Sequence, residues 1–479
     1  MRAYVGSIVV GLSLPLAGAA QAQVIPGNNQ PPNVPAAQLE AKKAEAIQKG
    51  AAWLASKQEA DGSWSYPNAP VQHVYWPMKQ GVTALCATAL LKTGTDPQSD
   101  GIKRAFEFMD KAEMKWTYAV ACVLLACEAR ASWAPPPPPG ADRDGTMVRK
   151  KPKAKPAAQD LALARKALAF LLANQSEKGL WRYPGPGSGE EDLSNSQYVM
   201  LALNAAERLG LDVPKAVYEK AAARLVEVQE QDGPDVEPFP FPGADMTFKE
   251  LKKIEEEFEK ELRQLEKRFD GKPPEAKDEK GQTLQDGLHT MVRAAAQKVS
   301  EGTRTRRGAP GERPGIKARG FCYVPADQPR MGAKDGWVTG SMTTSGMVGL
   351  LVCKFALEGT PRYERELKPR INQALRDAAG WMAKNYSLDR NPGSDVHHFY
   401  YLYGLERAGV LGLLDRIGGH DWYREGVQLF VGRQASEGLW VAIPGGTSGE
   451  VPDTCFALLF MARGTTPPVR LPTRVRTGD

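Results

Sequence analysis

Three groups of side chains in this chain have types and spacings that could do chemistry. The adjacent pair His397-His398 stands out in a chain with only five histidines. It follows Asp395 and runs into Phe399, Tyr400, Tyr401 and Tyr403. Imidazoles titrate near neutral pH, and beside aromatic faces they make a wall suited to a carbohydrate or polyene ligand. The second group is Asp453-Thr454-Cys455. The third is Asp192, Ser194, Asn195 and Gln197 ahead of one apolar segment, with Thr343, Thr344 and Ser345 at the start of another. Residues at helix N-termini sit at the positive end of the helix dipole, where anionic groups bind. Asp192, Asp395, His397 and His398 are therefore the candidates for proton transfer. Asn195, Gln197, Thr343, Thr344, Tyr400 and Tyr401 are the candidates for the mouth of a ligand cavity. The same positions are where Ser, Thr, Asp and Asn cap helices, and for any one of them capping is the simpler expectation. For the His pair the simpler expectation is one ring outward and one packed in the core.

The elements that must position these residues come from a repeat. Lys49-Gly50-Ala51-Ala52-Trp53-Leu54 leads through Gln58 to Gly62-Ser63-Trp64. Lys166-Ala167-Leu168-Ala169-Phe170-Leu171 leads through Gln175 to Gly179-Leu180-Trp181. The shared frame is basic–small–x–x–aromatic–Leu–x–x–x–Gln–x–x–x–Gly–x–Trp. A third copy runs from Gly426 through Gln434 to Gly438-Leu439-Trp440, and a fourth from Lys220 through Gln229 to Gly233 with no Trp following. Degenerate copies begin near Lys103 (Arg104 to Met109) and Leu375 (Arg376 to Met382). A repeat of this kind decides architecture before single residues decide chemistry. Ile47, Ala51, Leu54 and Ala55 predict one buried helical face in the first copy. The Gly can end the helix at positive φ, the Trp can pack between repeats, and the Gln can bond loop backbone.

Each copy is followed by a more apolar segment: Val82–Leu91, Tyr118–Cys127, Gln197–Ala206, Met342–Phe355, His398–Ala408 and Pro452–Ala462. A segment apolar most of the way round is a buried helix. The pattern predicts an all-α chain, an (α/α)6 toroid of six hairpins with amphipathic helices outside and apolar helices inside. The frame resembles the QW repeat of squalene and oxidosqualene cyclases and is similar to the β-subunit repeats of protein prenyltransferases, both of the α/α-toroid superfamily. The resemblance covers most of residues 41–465.

The resemblance implies terpenoid-cyclase or prenyltransferase-like activity, but the chain lacks the motifs that carry it. There is no Asp-x-Asp-Asp acid. The nearest run, Asp142-Arg143-Asp144, lies in a Pro/basic stretch with nothing to bury it and raise its pKa. The Asp-Asp-x-x-Asp magnesium motif is also absent. Prenyltransferases hold zinc through Asp-x-Cys and a later His. Here Asp453 and Cys455 with His398 offer the same donors in the reverse order, a legitimate zinc shell with one position open. No other cofactor is implied. Polysaccharide lyases with a related toroid use His, Tyr and basic residues, which the His397/His398 wall would fit. The Gly-rich stretches 184–189 and 444–449 are not P-loops, because no Gly-Lys-Ser/Thr follows.

A net charge of +6 spread over 479 residues gives no case for a nucleic-acid surface. Arg2, the apolar run 8–16 and Ala20-Gln21-Ala22 read as a secretory signal over 1–22, so the mature chain is expected in the periplasm or outside. No later segment reads as long enough to cross a bilayer. Of six cysteines, five lie in apolar helices as small hydrophobes. A disordered lead-in is expected over 23–40, a Pro/basic linker over 131–158 and a tail over 467–479. The insertion 244–318 carries Phe248, Leu251, Ile254 (or Phe258), Leu262, Leu265 and Phe269 at coiled-coil-like spacing, with Leu284, Leu288, Met291, Ala295 and Val299 as an antiparallel partner. It is either a solvated hairpin or a docking arm for a protein partner. Three functions follow from these residues: a non-catalytic exported toroid that binds a hydrophobic or polymeric ligand or a protein, a terpenoid-cyclase or prenyltransferase-like enzyme, and a polysaccharide-acting enzyme.

Overall fold

The computed structural model describes residues 35–65, 78–135, 156–183, 191–270, 272, 276–279, 281–304, 311–328, 336–442 and 448–471. The leader expected over 1–22, the glycine-rich stretch 184–189 and most of the linker 131–158 lie outside them.

The protein is all-α. Six amphipathic helices alternate with six apolar ones. The amphipathic set is α1 (Ala36–Ser56), α3 (Asp100–Lys111), α5 (Ala158–Ala173), α7 (Lys215–Val228), α12 (Lys368–Lys384) and α14 (Trp422–Arg433). The apolar set is α2 (Lys79–Lys92), α4 (Thr117–Ala131), α6 (Leu193–Arg208), α11 (Gly340–Leu357), α13 (His398–Gly412) and α15 (Glu450–Met461). All fifteen residues of α13 are buried. The apolar helices pack in the cyclic order α2, α4, α6, α11, α13, α15 and back to α2. Each amphipathic helix packs against members of this cycle, and in α12 the run 371–382 is buried throughout. The insertion supplies α8 (Pro242–Asp245), α9 (Phe248–Phe269) and α10 (Leu284–Arg304), with a short antiparallel pair of strands, β1 (Asp235–Val236) and β2 (Ile316–Lys317).

The repeat frame works as a corner between an outer and an inner helix. Gln58 Nε2 donates to Gly62 O at 2.9 Å and to Gly101 O of α3 at 2.8 Å. Gln175 does the same with Gly179 O and Val217 O of α7, and Gln434 with Gly438 O and Ala46 O of α1. One amide thus ties its own loop to a backbone carbonyl of the next outer helix. The indoles of Trp64, Trp181 and Trp440 each donate at 2.7 Å to the carbonyl ten residues back, which caps the outer helix C-terminus. Their backbone N–H groups donate to hydroxyls on the inner helices, Thr83, Ser196 and Thr454.

The fourth corner corrects the sequence reading. Gly233 is not the frame glycine. Gln229 Nε2 donates to Arg319 O and Ala374 O of α12, Glu230 N donates to Gly320 O, and Phe321 N donates to Thr343 Oγ1. The frame therefore resumes at Arg319-Gly320-Phe321, and the insertion splits it. Phe321 is the residue that stands where the other copies have Trp.

Other boundaries shift too. The helix α1 starts at Ala36, inside the expected lead-in, because Leu39 and Ala46 find burial. Its buried stripe is Leu39, Ala46, Gly50, Trp53 and Leu54, whereas Ala55 is exposed. The ring of Trp440 lies directly over Gly50, where a Cβ would come within 2.3 Å of it. Val469 and Leu471, expected in a tail, are buried against the insertion. The helix α11 is long and apolar enough to cross a membrane, contrary to the sequence reading, but most of it is buried among the inner helices, as a core helix requires.

The insertion packs onto the rest of the protein. Leu251, Ile254, Phe258, Leu265 and Phe269 of α9 meet Met291, Val292, Ala295 and Val299 of α10, and the same cluster includes Leu413, Val469 and Leu471. The Glu358 carboxylate accepts from Phe248 N and Lys249 N at the start of α9. Buried ions join it to α11 and α12: Lys354 Nζ donates to Ala244 O and Asn372 Oδ1, and Arg376 pairs with Asp245 and Glu312.

Candidate functional site

Most of the predicted residues stand at or just before the N-terminal ends of the inner helices. Asp192 caps α6. Its carboxylate accepts from Asn195 N at 2.7 Å, from Asn195 Nδ2 at 2.9 Å and from Ser194 Oγ at 2.8 Å. Burial pushes its pKa up against these bonds. Asp453 accepts from Ala442 N and Ser448 N, so it holds the loop ahead of α15. Thr343 and Thr454 serve corners, and Thr344 Oγ1 donates back to Ser341 O. Gln197 joins the centre: its Nε2 donates to Tyr400 OH at 3.3 Å and its Oε1 accepts from Ser345 Oγ at 3.1 Å. Asp395 is exposed. Tyr401 turns away and donates to Ser387 O.

The histidine pair is divided. His397 adopts left-handed backbone, φ 60° and ψ 42°, a strained conformation for a residue with a side chain. That kink sends the two rings in different directions. The His397 ring meets Tyr400 edge-on at 6.3 Å and is open to solvent, yet enough protein surrounds it that desolvation lowers its pKa. His398 is buried and its Nε2 lies 2.7 Å from Leu388 O, which fixes the proton on Nε2. Burial, only partly offset by that carbonyl, lowers its pKa to about 4. His398 is a neutral packing residue, and the wall of two proton-active imidazoles reduces to His397.

The three zinc candidates are not brought together. His398 is tied to Leu388, Asp453 to backbone amides, and Cys455 Sγ lies 3.6 Å from Cys86 Sγ. Among the described residues no three His, Cys, Asp or Glu side chains converge on a common point.

Below the mouth, the centre of the cycle is filled by a group that sequence reasoning largely missed. Arg407 of α13 is wholly buried. Its Nη2 donates to Tyr198 OH of α6 at 3.1 Å, and its Nε to Tyr403 O at 3.3 Å. The guanidinium lies 3.8 Å from the Tyr403 ring centre and 4.6 Å from that of Tyr198, and Tyr198 packs on Tyr118 of α4 at 4.1 Å. In the cyclic order α6 is two helices from α13 and α4 is opposite, so this group spans the axis. Burial pushes the phenols of Tyr118, Tyr198, Tyr400 and Tyr403 up, so they stay neutral. Cation–π contact is what the site offers Arg407. Among the described residues no carboxylate forms an ion pair with it, and its Nη1 meets no acceptor. The signal was present in the sequence: Tyr400, Tyr403 and Arg407 share one helical face, and a Glu-Arg pair interrupts an otherwise apolar segment. A surface cleft lined by Asp61, Glu107, Phe108, Lys111 and Ala112 lies outside the cycle and gathers none of these residues.

No known family profile matches the chain, and no curated protein matches it. Among solved structures it is similar to the type II terpene cyclase MstE from Scytonema. A variant bound to geranylgeranyl dihydroxybenzoate is 11% identical, with 89% of this chain and 98% of that chain covered and a TM-score of 0.35. Another variant, bound to merosterolic acid A, is 12% identical, with 89% and 96% covered and a TM-score of 0.28. Similarity at this level assigns no activity and no residue role to this chain.

Proposed function

We infer that this protein is an exported α/α toroid of the QW-repeat kind that binds a ligand over its tyrosine-lined centre and does no chemistry on it. Arg407 carries the reading. A buried donor without an acceptor costs roughly 1–3 kcal/mol, and native proteins leave few such groups unexplained. A ligand acceptor reaching Nη1 would remove that cost. The tyrosine faces around it favour a largely apolar ligand with one anionic or acceptor group. Asp192 and Asp453 spend their carboxylates on backbone amides, which supports binding over proton transfer. The test is native mass spectrometry on the mature protein and its Arg407→Met variant. A small molecule is expected to co-purify with the parent and to be lost from the variant, whose melting temperature holds. A parent that is empty, or a variant that retains the molecule, ends this reading.

One observation favours a second reading, an isoprenoid cyclase-like enzyme. Asp192 is a buried carboxyl whose pKa is raised by desolvation, with Tyr323 and Tyr183 close by. Asp192→Asn keeps the cap, since Asn caps as well as Asp, but removes the proton. Polyene turnover by the parent that disappears in this variant, at unchanged stability, would put the second reading first.

A further inference from the structure

The cycle of inner helices has a seam where its last member, α15, meets its first, α2. Two cysteines face each other there. Cys86 of α2 and Cys455 of α15 are both fully buried, with their Sγ atoms 3.6 Å apart and 369 positions between them in sequence. No other cysteine of the chain is placed against a second one in this way among the described residues. The remaining seam contacts are non-covalent: Gln434 Nε2 donates to Ala46 O, and Trp440 lies over Gly50.

We propose that Cys86 and Cys455 form a disulfide that staples the first hairpin to the last and closes the ring covalently. The sulfurs need to approach from 3.6 Å to about 2.0 Å. The bond would close nearly the whole ring as one loop, the arrangement in which a cross-link removes the most entropy from the unfolded chain. The oxidant is a small-molecule or protein disulfide. One cysteine thiolate attacks it, forming a mixed disulfide and releasing one thiol. The second cysteine then attacks the protein sulfur of that mixed disulfide and releases the second thiol. Two protein thiols are oxidised and one external disulfide is reduced to two thiols. Because neither sulfur is exposed in the folded chain, the exchange takes place during folding, before the seam shuts. Export would supply an oxidising compartment, but the chemistry rests on the geometry alone.

The experiment uses the full chain. Reduced protein is unfolded, refolded with oxidised glutathione, denatured, alkylated and weighed, and its peptides are mapped without reduction. The expected product has four alkylated cysteines of the six in the sequence and a linked Cys86–Cys455 peptide. It melts several degrees higher than the same protein refolded reduced. Cys455→Ala abolishes the linked peptide and the redox difference in melting. Six alkylated cysteines, or a link that excludes Cys86 or Cys455, overturns the proposal. So does a Cys455→Ala variant that keeps the redox-dependent melting shift. A separate control, folded reduced protein challenged with the same oxidant, is expected to resist, and rapid oxidation there would overturn the claim that the seam shields the pair.

Discussion

Three corners of the ring are continuous and one is cut open. At Gln58, Gln175 and Gln434 the near carbonyl lies four residues on, and at Gln229 it lies 90 residues on. The amide bonds, the loop N–H and the hydroxyl on the inner helix are the same in all four. Two things differ. The closed corners place glycine at positive φ, as at Gly179 with φ 127°, where a Cβ would fall 2.6 Å from Lys220 O. The open corner puts Arg319 in that place, and its guanidinium pairs with Asp377 at 2.9 Å. The closed corners end on Trp, and the open corner ends on Phe321, packed on Gly346. A corner is therefore specified by its Gln, its aromatic ring and the facing hydroxyl. Glycine and short spacing are what a continuous chain needs to make the turn.

If that is right, the insertion is dispensable to the corner but not to the ions beneath it. Replacing 231–318 with two residues restores the four-residue spacing. It also strips Lys354 of Ala244 O and Arg376 of Asp245 and Glu312. Leaving Arg376 without Asp245 and Glu312 orphans a buried guanidinium, at about 3–5 kcal/mol, and loss of the Ala244 bond takes one acceptor from Lys354; together these are a large share of a domain's stability. The excised chain is expected to lose its cooperative melt by circular dichroism. Lys354→Met and Arg376→Met together should restore it. An excised chain that melts like the parent without those changes would make the ions irrelevant. Next in size, Trp181→Ala and Phe321→Ala each remove a buried ring and should cost about 3–5 kcal/mol. Denaturant titration should find Trp181→Ala worse by about 1 kcal/mol, the net value of its indole bond. Equal losses would mean the indole bond adds nothing. Gly179→Ala forces a side chain into a left-handed turn and a close contact, at about 1–3 kcal/mol. The same change at the open corner, Arg319→Ala, has no backbone penalty and removes the bonds to Asp377 and Glu230 O. Arg319→Lys keeps a cation and should recover part of that loss, whereas equal losses for Arg319→Lys and Arg319→Ala would show that the pair with Asp377 adds nothing.

How much of this was legible in the sequence follows from the same comparison. The six hairpins could be read because each amphipathic helix and each apolar helix is a local pattern. The helices α6 and α13 start within a few residues of where apolarity predicted. The fourth corner could not be read, because its Gln and its ring are separated by an insertion and Phe321 is not Trp. The site was read in part. Gln197 and Tyr400 bond to each other across the inner helices, while the Asp192 carboxylate bonds to Ser194 and Asn195 of its own helix start. Which ring of His397-His398 would face inward was not legible, since it depends on a left-handed residue at His397. The role of Arg407 is not legible in sequence because Tyr198, the hydroxyl that accepts from it, lies on α6, 209 positions away.

A pH titration tests the buried ions beneath the open corner. Lys354 is the one buried lysine among the described residues, and it lies under the insertion. Burial dominates its titration and favours the neutral amine; Asp245, Glu358 and Glu312 oppose that, Arg376 adds to it, and the pKa falls to about 7. An unfolded lysine titrates near 10.4. Between these values the unfolded chain holds about one proton more than the folded one. Stability should therefore rise with pH across that window, by about 1.4 kcal/mol per unit. Below about pH 7 both states are protonated and the contribution is flat at its lowest value. Lys354→Met removes the proton and should flatten the limb. Denaturant titrations of parent and variant from pH 7 to 9 should diverge steadily, and parallel curves would show that Lys354 keeps its charge when folded, held by Asn372 and Ala244 more tightly than burial opposes it.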